Sequence, residues 1–278
     1  MQNSTLVLNP VDATAPIKTV SDRYGFVNSR EVMSHFEAAG WVVESQNFAR
    51  VKDSNRAGFQ KHLVWMRNDS LPKIAGLTSE NESAVRLALV NSHDMTTRFN
   101  LFLGVMRAAC LNQILTGGIF KYFSAVHSKA ITQKLDAGID FVVSGIPELV
   151  EKIKFLSSVE LNDTQKTQLV NTVIPMRFAN VKGFIGADIS SVDKIVRTAD
   201  DKNDAYTVLN RIQEKLVRGG INYGYMRNVK NETGEIVGQE LAHTTTRQVG
   251  AISTQIKLNE KLFSETLKLV GVSVDNAA

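Results

Sequence analysis

The sequence predicts an α+β fold: an antiparallel sheet packed on helices, then a helical middle segment and a C-terminal helix–hairpin–helix unit. Two periodicities lead there. Residues 41–43, 56–67, 86–90 and 98–103 read as strands, with period-two alternation clearest in the last three. Beyond residue 122, apolar residues recur at three- and four-residue steps instead, as on one face of a helix. The third observation is turn chemistry at the joints: NSHDMTT at 91–97, Gly117-Gly118, Gly219-Gly220 and NETGE at 231–235.

Taken in order, residues 1–20 are small and polar with Pro10 and Pro16, and read as a flexible arm. Asn28 or Ser29 caps a helix, SREVMSHFEAAG, whose apolar face is Val32, Phe36 and Ala39 and whose stop is Gly40. Trp41 opens a strand, residues 56–67 supply a second, and residues 86–103 form a hairpin around the NSHD turn. After Gly104 the spacing of Val105, Ala108, Leu111, Ile114 and Leu115 predicts a core helix that ends at Gly117. Residues 21–118 are thus an α+β core in which Trp41, Trp65, Leu87, Leu89, Leu101, Leu103 and Leu111 share one interior. Residues 119–203 read as helical, with Asp163 as a cap, Pro175 as a stop, and VDKIVRTADDKND as an exposed linker. Residues 204–272 hold a basic helix from Asp204, a long hairpin and a closing amphipathic helix.

Charge is concentrated in one place. Residues 84–130 carry Arg86, Arg98, Arg107, Lys121 and Lys129 against Asp94 alone, an excess equal to the net charge of +4 for all 278 residues. This is compatible with nucleic acid without being diagnostic of it. The single cysteine leaves no internal disulfide and no cysteine cage for zinc, which suits the reducing host-cell cytoplasm. No apolar run approaches the roughly 20 residues of a membrane span, and the first residues lack a signal peptide's basic start.

The NSHD turn, with Asn91, Ser92, His93, Asp94, Phe99, Arg107, Cys110 and Asn112, resembles the signature NSHDGSSSF…R-x-x-C-T-N-G of a phage- and plasmid-associated family of unknown function. The resemblance resumes at Asn210, Arg211, Gln213, Glu214, Gly219 and Gly220, and again at Ile256, Leu258, Asn259 and Leu262. Met95 and Gln113 stand where that signature has glycine. A second resemblance is one of element order. A tyrosine-bearing N-terminal segment and a short helix ending in Gly40-Trp41, followed by strands and a helix, is similar to single-strand-annealing proteins of the Rad and Erf type. It implies a basic groove for one DNA strand and assembly into homo-oligomers.

The turn residues Asn91, Ser92, His93 and Asp94 invite a triad, but neighbours in an extended turn point apart, so a self-bonding turn is the simpler reading. The histidines lack the spacing of a metal site, and Walker, Rossmann and nucleophile-elbow motifs are all missing. Neither a metal nor another cofactor is expected. The basic and aromatic residues carry more. Arg98, Arg107 and Lys121, the helical stripe Arg211, Lys215 and Arg218, then Tyr223, Tyr225, Arg227 and Arg247 suit phosphate neutralisation with base stacking. The reading is a non-enzymatic protein that binds single-stranded DNA in phage or plasmid recombination or replication. Its rivals are a metal-dependent nucleic-acid enzyme and an interaction protein that blocks a host defence factor.

Overall fold

The computed structural model describes residues 8–71, 83–107, 112–115 and 119–272. In chain order the elements are α1 (Ser29–Ala38), β1 (Val42–Phe48), β2 (His62–Arg67), β3 (Ser83–Asn91), β4 (Phe99–Arg107), β5 (Asn112–Leu115) and β6 (Tyr122–Ala125). Then come α2 (Ile131–Val143), α3 (Ile146–Ser158), α4 (Asp163–Phe178), β7 (Phe184–Ala187), α5 (Ala205–Arg218), β8 (Asn222–Lys230), β9 (Ile236–Thr245) and α6 (Ile252–Leu269). The chain is α+β and divides into two compact units. One comprises Met1–Ala75, Ser83–Met106 and Phe120–Val150; the other comprises Gly76–Glu82, Arg107–Ile119 and Glu151–Ala278.

In the first unit the strands run in the order β1-β2-β3-β4, and β6 pairs with β4. The register sets Met66 opposite Leu87 and Trp65 opposite Ala88. Trp41, Trp65, Leu87, Leu89, Leu101 and Leu103 are all buried, but not in the one interior expected: Trp65 shares a face with Ala88, while Leu87 and Leu89 lie on the other with Met66 and Val64. Alternation nevertheless understates the burial. β2 and β3 are covered on both faces, so even His62 and Arg86 lie inside, Arg86 against Glu44 at 2.9 Å. Asn28 caps α1 by accepting hydrogen bonds from the Arg30 and Glu31 N–H groups, and Gly40 follows the helix end at φ +85°.

The second unit holds the antiparallel sheet β7-β8-β9 and a helical layer in which α6 packs on α4 and α5. Asp204, read in the sequence as the start of the helix, is its cap: it accepts from the Thr207 N–H, and α5 begins at Ala205. Gly219 ends it at φ +92°, where a Cβ would lie 2.4 Å from the Thr246 carbonyl oxygen.

Five expectations are corrected. The helix read after Gly104 is strand: β4 continues to Arg107 and β5 covers Asn112–Leu115, while Leu111, Cys110 and Gly117 lie outside the described residues. Tyr122–Ala125 is strand as well, and its aromatics cover β4. The cap of α4 is Asn162, not Asp163, in a reciprocal capping box with Gln165. Pro175 does not stop α4; the helix runs on to Phe178, and Asn171, whose carbonyl loses its partner, faces solvent. Finally, the chain from Leu8 to Val20 is partly packed, with Val11 fully buried and the Ile17 N–H donating to the His93 carbonyl.

Candidate functional site

The NSHD turn is buried within the first unit, and its four side chains diverge. Asn91 donates from Nδ2 to the Val27 carbonyl and to Ser29 Oγ, and its Oδ1 accepts from the Ser92 N–H. Ser92 Oγ accepts from the Thr97 N–H. Asp94 accepts from Thr96 on one oxygen and from the Arg56 guanidinium on the other, at 2.8 Å. The His93 N–H donates to the Phe59 carbonyl, so the turn ties three chain segments together through its backbone. Met95 holds φ +64°, the left-handed conformation natural to glycine, so the glycine-type backbone survives the change of residue.

Around the turn lie three imidazoles. His62 is fully satisfied, with Nδ1 donating to the Gln60 carbonyl and Nε2 accepting from Ser29 Oγ at 2.7 Å. His93 packs between Phe26 and His62, at ring separations of 4.8 and 5.1 Å. It is completely buried, and neither ring nitrogen makes a hydrogen bond of ordinary geometry. Burial, aided by the neighbouring imidazoles, pushes His93 down to about 3; burial also lowers His62, to about 4. His127 stacks on Tyr24 at 4.7 Å and is lowered too, again by burial. Burial alone would raise Asp94, but the bonds from Thr96 and Arg56 bring its carboxyl below the usual range. The turn thus sets enclosed imidazoles, lowered by burial, beside an ion-paired carboxylate. Among the described residues no group of three or more His, Cys, Asp or Glu is placed to hold a metal ion.

The basic residues singled out in the sequence part company. Arg107 points inward, paired with Asp200 at 2.6 Å and donating to the Ala199 carbonyl, with side-chain exposures of 1 % and 2 % for the pair. Arg211 is equally enclosed, bonded to Asp193 and to the carbonyls of Asp200 and Lys202. Both are therefore corrected: their charges are spent inside the second unit, out of reach of a phosphate. The segment expected to be an exposed linker supplies these partners, and its Val192, Ala199 and Asp200 are buried. The stripe on α5 thus reduces to Lys215, half-buried, and Arg218, exposed beside Glu214. In the first unit Arg98 is exposed, whereas Lys121 donates to Ser144 and lies over the Phe141 ring.

Tyr223, Tyr225 and Arg227 do come together, on alternate positions of β8 and hence one face of its sheet. Tyr223 is built into an aromatic cluster with Phe178 and Phe184, and Tyr225 lies 5.8 Å from it. Arg227 is held by Glu240 across the hairpin. Arg247 is exposed just past β9, and its carbonyl accepts from Arg177.

Where β7 begins, a groove of about 550 Å³ opens between β7 and the projecting hairpin, lined by Lys182, Phe184, Tyr225, Arg227, Asn228 and Gln239 among others. Gly183 makes it possible: at φ +70° a Cβ there would lie 2.5 Å from the Met226 carbonyl oxygen. Lys182, Phe184, Asn228 and Gln239 escape a reading of the sequence. A four-residue strand carries too short an alternation to be seen, and nothing local to Lys182 places it beside β8.

An α+β protein in two units, its polar signature residues turned inward as ties between segments, is the class these features define. The chain belongs to the domain of unknown function family DUF932, whose model matches residues 16–263. It is similar to the UPF0380 protein YfjQ of Escherichia coli strain K12, at 26 % identity over 249 residues, 89 % of this chain and 83 % of that protein. It is also similar to the UPF0380 protein YafZ of the same strain, at 25 % identity over 243 residues, 87 % and 81 % of the two chains. No solved structure matches it. No helix among the described residues is long and apolar enough to cross a membrane.

Proposed function

We propose that this protein binds nucleic acid, single-stranded DNA foremost, and does so in phage or plasmid recombination or replication without bond-making chemistry of its own. The observation that carries the reading is the groove, which sets two half-exposed rings beside two cations. Phe184 and Tyr225 offer faces on which unpaired bases stack, and stacking of this kind tolerates any sequence. Among the described residues Lys182 has no acidic partner, and the exposed Arg227–Glu240 pair is weak enough to yield to a phosphate. Asn228 and Gln239, bonded to each other at 3.1 Å, add donors and acceptors along one wall. A duplex hides its base faces, so the rings favour one strand over two. Equilibrium binding of labelled single- and double-stranded oligonucleotides of one sequence, across a range of salt, tests the proposal. Tighter binding of the single strand, weakening as salt rises, is the expected outcome.

A further inference from the structure

β9 is an undefended sheet edge. It is ten residues long, pairs only with β8 among the described strands, and has no residue buried from solvent. Natural edges are blunted by lysine, proline, bulges or shortness. β9 has neither lysine, arginine nor proline, and its one irregularity lies at the far tip, opposite Val229 and Lys230. It displays Ile236, Val237 and Leu241, each more than half exposed. The Thr246 N–H donates to Ile221 on the β8 side. Alternation from that point turns the N–H and C=O groups of Thr245, His243, Leu241 and Gln239 outward, away from β8.

We propose that β9 is the interface between two copies of this chain, joined antiparallel about a two-fold axis at Leu241 into one continuous six-stranded sheet. Self-complementarity selects this occupant and this register. Only axes near Glu240 or Leu241 overlap the whole strand with its copy. An axis at Glu240 sets two carboxylates face to face, which like charges disfavour. An axis at Leu241 sets Glu240 opposite the partner's Ala242, Gln239 opposite the partner's His243 and Val237 opposite the partner's Thr245. Leu241 then meets the partner's Leu241 as a pair exchanging both backbone hydrogen bonds. Since Met226 is the cross-strand neighbour of Leu241 within each copy, an apolar stripe crosses the joint. The contact is isologous and closes at two copies. It shares Gln239 with the wall of the groove but does not rest on what the groove binds.

Sedimentation equilibrium of the full chain tests this. At about 50 µM, above the dissociation constant of a micromolar interface, the wild type should sediment at twice the chain mass of 30.7 kDa. Leu241→Lys places like charges at the axis and should give the single-chain mass with an unchanged far-UV spectrum, since this side chain is exposed. An equimolar mixture of Leu241→Lys with Leu241→Glu should recover the doubled mass, because opposite charges then meet. A wild type of any other mass, a lysine variant that keeps the wild-type mass, or a mixture that stays at the single-chain mass would overturn the proposal.

Discussion

Arg107 and Asp200 lie 93 residues apart in sequence and 2.6 Å apart in space, both closed off from water. Asp200 also accepts from Arg197, which in turn grips Glu214 on α5 at 2.7 Å. The chain leaving β4 is thereby clamped to the loop before α5. Arg107→Ala leaves a buried carboxylate short of its partner, and should cost about 3–5 kcal/mol of unfolding free energy in urea denaturation. Arg107→Met with Asp200→Asn removes both charges at nearly unchanged volume and keeps an acceptor for Arg197, so it should recover part of that loss. Neither change should alter the salt dependence of oligonucleotide binding, because Arg107 does not face the solvent.

The turn at Met95 stores strain. A left-handed backbone costs a side-chain-bearing residue about 1–2 kcal/mol, against an entropic penalty for glycine of roughly half that. Met95 is more than half exposed, so it contributes little packing in return. Met95→Gly should therefore raise the melting temperature by a few degrees, whereas Met95→Val should lower it.

Stability should fall as the solution is acidified. His93 and His62 are depressed from 6.5 to about 3 and about 4, so over that window the unfolded chain binds protons that the folded one refuses. Their contribution is complete above the unfolded value of 6.5 and is lost progressively as pH drops toward the folded values. Thermal melts from neutral pH down to about pH 4.5 should show this decline. His93→Phe, which keeps a ring against Phe26 and His62, should make the decline shallower without changing its sign.

Much of the fold is legible in the sequence, and the failures share physical causes. Asn28, Asp204 and Gly219 mark helix ends because capping is local, and the long hairpin announces itself through its turn. The run from Gly104 to Leu115 misleads because a short apolar stretch fits helix and strand alike; β4 takes its first part into a sheet. Arg211 and Arg107 mislead differently. Spacing puts Arg211 in line with Lys215 and Arg218, but the acids that neutralise it come from a loop whose polarity looks like exposure. The groove was half visible: Tyr225 and Arg227 stand out, while Lys182 and Phe184 reach them only through the pairing of β7 with β8.

The two halves of the groove should fail in different ways. Lys182→Ala removes a charge, and should weaken binding about equally for every sequence while lowering the salt slope by about 0.7 per lost contact. Lys215→Ala serves as a comparison on α5, outside the lining of the groove.

Tyr225→Ala is the most direct measurement of the central claim, that unpaired bases stack in the groove between β7 and the hairpin. Followed by fluorescence anisotropy on a labelled single strand, it should lose about 1–3 kcal/mol of binding at every salt concentration and leave the slope unchanged. Affinity equal to that of the wild type, in a variant of unchanged stability, would contradict it.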